Sequence, residues 1–334
     1  MRGADVTQEG LFITRKTADY VPAGHPLIAI REILNRALRD MDLLFESIYE
    51  DRGRYSVPPE WLLRGLVLQA LYGIRSERLL CEQLGYNLLY RWFVGLSLDD
   101  AAWDHSTYTK NRDRLIEHEV VRALFGQVMQ QAKEAQLLSD EHFSVDGTLI
   151  RAWASHKSFV PKDGPPPPSS GSRTNPEVDF KGKKRSNDTH ASTTDPDAQL
   201  FAKSNKQESL PAYLGHVLME NRSRLALETR VTLATGTAEH EAALDMLRSL
   251  PGEQRKSRID RRTTRHPGYA ASQVIRKMIE TLFGDGKQHG GTIRQVKLRG
   301  RRKVSDVFTL AMLAVNLRRL PGLLAAQPTM ARSG

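Results

Sequence analysis

The run His142-Phe143-Ser144-Val145-Asp146-Gly147-Thr148-Leu149-Ile150-Arg151-Ala152-Trp153 sets one carboxylate among β-branched and aromatic residues. It follows a long stretch of helical spacing, so the chain changes from helix to strand here. Phe143, Val145 and Leu149 fall on one face at a period of two, which turns Asp146 to the other. A carboxylate on a rigid strand can be aimed within a fraction of an ångström, as metal-dependent chemistry requires. The same pattern suits a surface Asp before a Gly turn, and the rest of the chain has to separate the two.

Upstream, Ile28, Ile30, Ile33, Leu34, Ala37 and Leu38 mark a first helical stripe. Pro58-Pro59 opens a second helix, whose face is Leu62, Leu63, Leu66, Val67, Ala70 and Leu71. Ser76 suits the N-cap of a further helix that Gly85 ends. Ser106 or Thr107 caps another, and a last one runs from about Val120 to Leu137. Such a domain could hold DNA ends, and helix-turn-helix geometry fits it, as any helical bundle would.

Downstream, residues 161–208 are polar and contain Pro165 to Pro168, so they are expected to be mobile. Their basic run, Lys181, Lys183, Lys184 and Arg185, suits phosphates or a solvated loop equally. Tyr213 to Met219 and Leu225 to Leu233 read as a hairpin. A helix capped by Thr237 follows, and Pro251-Gly252 stops it. Tyr269 to Phe283 reads as one helix, with Arg276 and Glu280 at i, i+4. A final helix runs from Val304 to Leu320 and ends before Pro321.

Charge separates these parts. Residues 1–140 hold 17 Lys+Arg against 20 Asp+Glu, whereas residues 253–303 hold 15 against 4. The second segment accounts for the whole net charge of +10, which points to a polyanion, most plausibly nucleic acid. From Lys287 to Lys303 there are seven cations and no acid. The single cysteine, Cys81, rules out an intramolecular disulfide and a multi-Cys zinc site. No apolar run approaches the roughly 18 residues of a membrane span, and the N-terminus lacks a signal-peptide core. The expectation is a cytoplasmic, nucleoid-associated protein with no membrane partner.

Several stretches together carry a family resemblance. They include Tyr90-Arg91-Trp92-Phe93-Val94-Gly95, Trp103-Asp104-His105-Ser106-Thr107, Ser144-Val145-Asp146-Gly147-Thr148 and Ala152-Trp153-Ala154-Ser155-His156-Lys157-Ser158-Phe159. Further on come Gly215-His216, Met219-Glu220-Asn221-Arg222, Arg262-Thr263-Thr264-Arg265-His266-Pro267-Gly268-Tyr269 and Asn316-Leu317. Over about nine tenths of its length the chain resembles bacterial transposases of the insertion-sequence five group. The resemblance implies a helical N-terminal domain (1–137), a ribonuclease H-like α+β or α/β mixed-sheet core (138–320) with a flexible insertion at 160–210, and a tail (321–334). It implies an Asp, Asp, Glu triad that holds two Mg²⁺ ions and cuts and joins DNA at terminal inverted repeats, in a homo-oligomer. The first Asp corresponds to Asp146. The Glu, with an Arg four residues before it and a Lys seven after, corresponds to Glu280, with Arg276 and Lys287. Arg294, Lys297, Arg299, Arg301, Arg302 and Lys303 are the expected phosphate contacts.

The second Asp of that family has no counterpart. Leu250-Pro251-Gly252 runs straight into a polar stretch, and no apolar strand near 251–260 carries a carboxylate. Asp260 is the nearest substitute, and Asp285 stands where similar proteins have Trp. Two readings follow: a transposase impaired by an internal deletion, or a catalytically dead DNA-binding remnant that acts as a repressor or dominant-negative partner.

Overall fold

The computed structural model describes residues 15–49, 56–139, 142–162, 186–202, 208–249, 265, 268–289 and 293–327. The expected catalytic-strand gap, Asp260 and the basic run at 181–185 lie outside these.

The first part is helical: α1 (Pro26–Arg39), α2 (Asp42–Ile48), α3 (Pro59–Tyr72), α4 (Glu77–Tyr86), α5 (Leu88–Val94), α6 (His105–Glu117) and α7 (Val120–Glu134). Local chemistry explains most boundaries. Pro58 and Pro59 start α3, and Ser76 Oγ accepts from the Leu79 N–H at 3.2 Å to cap α4. Gly95, at φ +118, ends α5 in the left-handed region. Two expectations fail. Gly85 does not end α4, which runs on to Tyr86 and is capped at Asn87. Asp104, not Ser106 or Thr107, caps α6; its carboxylate accepts from both of their N–H groups, at 2.9 and 3.3 Å.

The sheet is antiparallel, and the fold is α+β. β5 (Leu210–Glu220) carries β1 (Phe143–Arg151) along one edge. Along the other it carries β4 (Gln199–Phe201) and then β6 (Ala226–Leu233), the hairpin expected from the sequence. Gln295 adds a parallel bridge to Arg151 at the end of β1. α8 (Ala238–Ser249) covers one face, where Ala238 packs with Ala212, Leu214, Ala234 and Leu149. The other face meets α11 (Arg301–Ala325), whose Phe308 lies against Gly215. A Cβ at Gly215 would sit 2.8 Å from the Phe308 ring, so this close approach requires glycine.

Between these lie α9 (Gly268–Arg276) and α10 (Met278–His289). The sequence reads as one helix here, but the chain turns at Lys277. Ile279, Leu282 and Phe283, all on α10, belong to the main core. α11 likewise exceeds its expected bounds and continues through Pro321 for another turn.

The insertion is partly ordered. β2 (Phe159–Pro161) pairs with β3 (His190–Ser192), and fully buried Asp195 accepts from the Tyr213 hydroxyl at 2.7 Å and the Gly300 N–H at 3.1 Å. Asp197 accepts from the Arg301 N–H at 2.9 Å. Two carboxylates thus meet the N-terminus of α11, where the unsatisfied amides and helix dipole favour negative charge.

α11 is long and apolar enough to cross a membrane by length and composition alone. Here it is the central core helix. Val304, Phe308, Met312, Leu313 and Leu317 are buried in a core shared with α1, α3, α7 and the sheet. Each such large side chain contributes roughly 2 kcal/mol of burial. This core runs uninterrupted past residue 137, where the sequence suggests a domain boundary.

Candidate nucleic-acid interface

Asp146 pairs with Val217 across β1 and β5 and is half-buried. Its Oδ1 accepts from the Gly147 N–H at 2.8 Å. The sequence pattern sets Phe143, Val145 and Leu149 on one face and Asp146 on the other, and the structure buries the Asp146 face more deeply. Ser144, Thr148 and Ile150, which share the Asp146 face, are all buried. The reason is that helices cover both sides of the sheet, so alternation along β1 no longer separates core from solvent.

α10 packs against both β1 and α11, so the Glu280 helix lies on the Asp146 side of the sheet. Glu280 itself is exposed, as is Arg276. The turn at Lys277 interrupts the continuous helix that an i, i+4 pair needs. Lys287 lies half-buried in the last turns of α10. Among the described residues, no group of three or more His, Cys, Asp or Glu side chains could hold a metal ion.

Behind Asp146, on the α8 face, stands a group that sequence reasoning did not single out for a role. His216 is fully buried opposite Gly147 and shares a 2.8 Å hydrogen bond with the Thr232 hydroxyl through Nε2. Its Nδ1 has no partner, and a Cβ at residue 147 would lie 3.1 Å from it. Burial, and secondarily Arg230, pull the imidazole pKa down to about 4. Glu220 is also buried. Burial raises its pKa, but hydrogen bonds from Ser139, Ser223 and Arg222 outweigh that and leave it below the usual range. It anchors the β5–β6 turn.

The basic segment divides into two sets. Lys297 donates to the Arg75 carbonyl at 2.9 Å, and Lys303 to the Asp113 carboxylate at 3.1 Å. Arg302 donates to the Ile116 and Glu117 carbonyls at the end of α6. These three cations bind the helical part to the start of α11. Lys297 and Arg302 are nonetheless exposed, as are Arg294, Arg299 and Arg301. A cleft of about 730 Å³ opens where the segment meets α3 and α4, lined by Arg75, Arg112, Lys297, Glu77 and Gln295 among others. Arg112 is paired there with Glu77 and Asp113.

The described residues therefore form an α+β protein with a helical bundle fused to a sheet through one core and a basic face at their junction. Residues 15–114, spanning α1 to most of α6, match a family model described as a transposase domain (DUF772). The match covers about three tenths of the chain, within its helical part alone. No solved structure matches the chain.

Proposed function

We propose that the chain is an insertion-sequence transposase that retains DNA binding and has impaired strand-cleaving chemistry. The observation that carries this reading is a transposase-domain match over residues 15–114, joined to the lack, among the described residues, of any group of three or more His, Cys, Asp or Glu side chains that could hold a metal ion. Asp146 and Glu280 are the carboxylates that would meet Mg²⁺. Among the described residues, these two side chains on separate elements supply fewer oxygen ligands than a pair of such ions takes. A ribonuclease H-like ancestry is supported by the antiparallel β1, β5, β6 order, the helix after β6, and the parallel bridge at the outer edge of β1. In this reading the bundle and the exposed Arg294, Arg299 and Arg301 hold duplex DNA at the terminal repeats, with Arg276 and Lys287 nearer the carboxylates. A homo-oligomer holds two ends, and an uncatalytic copy acts as a repressor or dominant-negative partner of an intact one.

The test is a combined shift and cleavage assay. Protein is incubated with labelled duplex carrying the element's terminal repeats, in Mg²⁺ or Mn²⁺, beside Asp146→Ala and Glu280→Ala. A salt-dependent shift without cleavage is expected. Cleavage that disappears in both variants would overturn the impairment. Absence of any shift at low salt would overturn DNA binding.

A further inference from the structure

Of the four tryptophans, Trp61, Trp92 and Trp103 pack against the core, while Trp153 is 44% exposed. Past the end of β1 the Ala152 N–H still donates to the Pro211 carbonyl at 3.0 Å, and the chain bends at Trp153. Exposure alternates: Arg151 is exposed, Ala152 buried, Trp153 exposed. Arg151, the last residue of β1, and Trp153, just beyond it, are thus both open to solvent on either side of buried Ala152. On the outer edge, the Arg151 N–H donates to the Arg294 carbonyl at 3.2 Å, and the Arg151 carbonyl accepts from the Val296 N–H at 3.1 Å. The residue paired with Arg151 across this bridge is exposed Gln295, and exposed Arg294 is its neighbour in the chain. The result is an exposed indole two residues past the end of β1, near a strand end where Arg151 and Arg294 are joined through their backbones.

We infer that Trp153 is a stacking platform for an unpaired base of single-stranded DNA, with Arg151 and Arg294 meeting the flanking phosphates. This rests on the DNA-binding reading and deepens it. Every nucleobase has a π face, so stacking on an indole tolerates any sequence, and neighbouring arginines neutralise the backbone. An indole left in water forfeits the burial that tryptophan ordinarily gains, and a base laid on it restores that burial. Arg151 lies on the opposite face of the strand from Asp146, and Trp153 follows two residues past the strand's end. The platform is thus separate from the carboxylate and works whether or not the chain cleaves DNA.

The experiment uses the full chain and two fluorescently labelled duplexes, one blunt and one with a single-stranded overhang, followed by anisotropy. Tryptophan emission is recorded separately with unlabelled oligothymidylate. The overhang duplex is expected to bind more tightly. Trp153→Ala is expected to weaken overhang binding about tenfold and to leave blunt binding within about twofold. Trp153→Phe retains most of the overhang affinity yet loses the quenching by oligothymidylate. Far-ultraviolet circular dichroism verifies that both variants fold. Equal losses on the two duplexes, unchanged overhang binding by Trp153→Ala, or quenching that persists in Trp153→Phe would each overturn the inference. Tighter binding of an RNA strand of equal length overturns the assignment to DNA. Failure of both duplexes to bind would sink the DNA-binding reading itself, whereas a bound blunt duplex with an indifferent Trp153 removes the platform alone.

Discussion

Asn316 on α11 and Ala226 at the start of β6 are joined by two hydrogen bonds. The Ala226 N–H donates to Asn316 Oδ1 at 2.9 Å, and Asn316 Nδ2 donates to the Ala226 carbonyl at 2.8 Å. Both residues are fully buried. One side-chain amide thus imitates a strand partner and ties the central helix to the sheet. Asn316→Leu leaves two buried backbone groups unpaired and should lower the unfolding free energy by about 2–4 kcal/mol. Urea unfolding of the two proteins measures it; an unchanged midpoint would show that the amide pair is dispensable.

Gly215 lies under Phe308 and Ile150. A methyl group there would come within 2.7 Å of Ile150 Cδ1 and 2.8 Å of the Phe308 ring. Gly215→Ala should therefore destabilise by about 1–3 kcal/mol through overpacking. Combining it with Phe308→Leu should recover part of that loss, giving a non-additive double-mutant cycle. Simple additivity would mean that the two positions do not press on each other.

His216 makes stability depend on pH in a defined window. Its native pKa of about 4 lies below the ordinary 6.5, so between these values the unfolded chain binds the extra proton. The stabilising effect of neutral His216 is complete above pH 6.5 and is lost as pH falls towards 4. The loss is on the order of 3 kcal/mol. His216→Gln can still reach Thr232 but cannot titrate. Its unfolding free energy should fall less steeply than that of the parent between pH 6.5 and 4.5, measured by urea titration at several pH values. Parallel curves would remove His216 from the account.

The two sets of basic residues should behave differently toward DNA. Arg299→Ala and Arg301→Ala each remove an exposed cation and should each reduce the slope of log affinity against log salt by about one. Lys303→Ala instead breaks a bridge to Asp113 and should lower the melting temperature while changing the slope less. Anisotropy titrations over a salt series, with melting curves alongside, separate the two effects. Equal slopes for all three variants would contradict the division.

The helices of the first part were legible because their signals are local. The Pro58-Pro59 start, the Ser76 cap and the apolar stripes of α1 and α3 act within a few residues. The β5–β6 hairpin was legible for the same reason. Where two local signals competed, the reading failed. Asp104 outcompeted Ser106 and Thr107 as a cap because its carboxylate reaches two N–H groups at once. The break at Lys277 was illegible because the apolar stripe continues across it.

The amino-acid sequence by itself determined where strand replaces helix, which segment carries the excess positive charge, and that Asp146 lies on a strand. These depend on period, composition and neighbouring residues. Only the tertiary structure decided which face of β1 is the more deeply buried, because helices cover the sheet from both sides. Only it showed which cations also bond the helical bundle, because partners such as Arg75, Asp113 and Ile116 come from more than 180 residues away in the chain. It also showed that part of the polar insertion is ordered, since the amide-rich N-terminus of α11 binds Asp195 and Asp197 across a hundred residues. Burial and long-range pairing are properties of the folded arrangement, and a linear pattern does not encode which distant groups will meet.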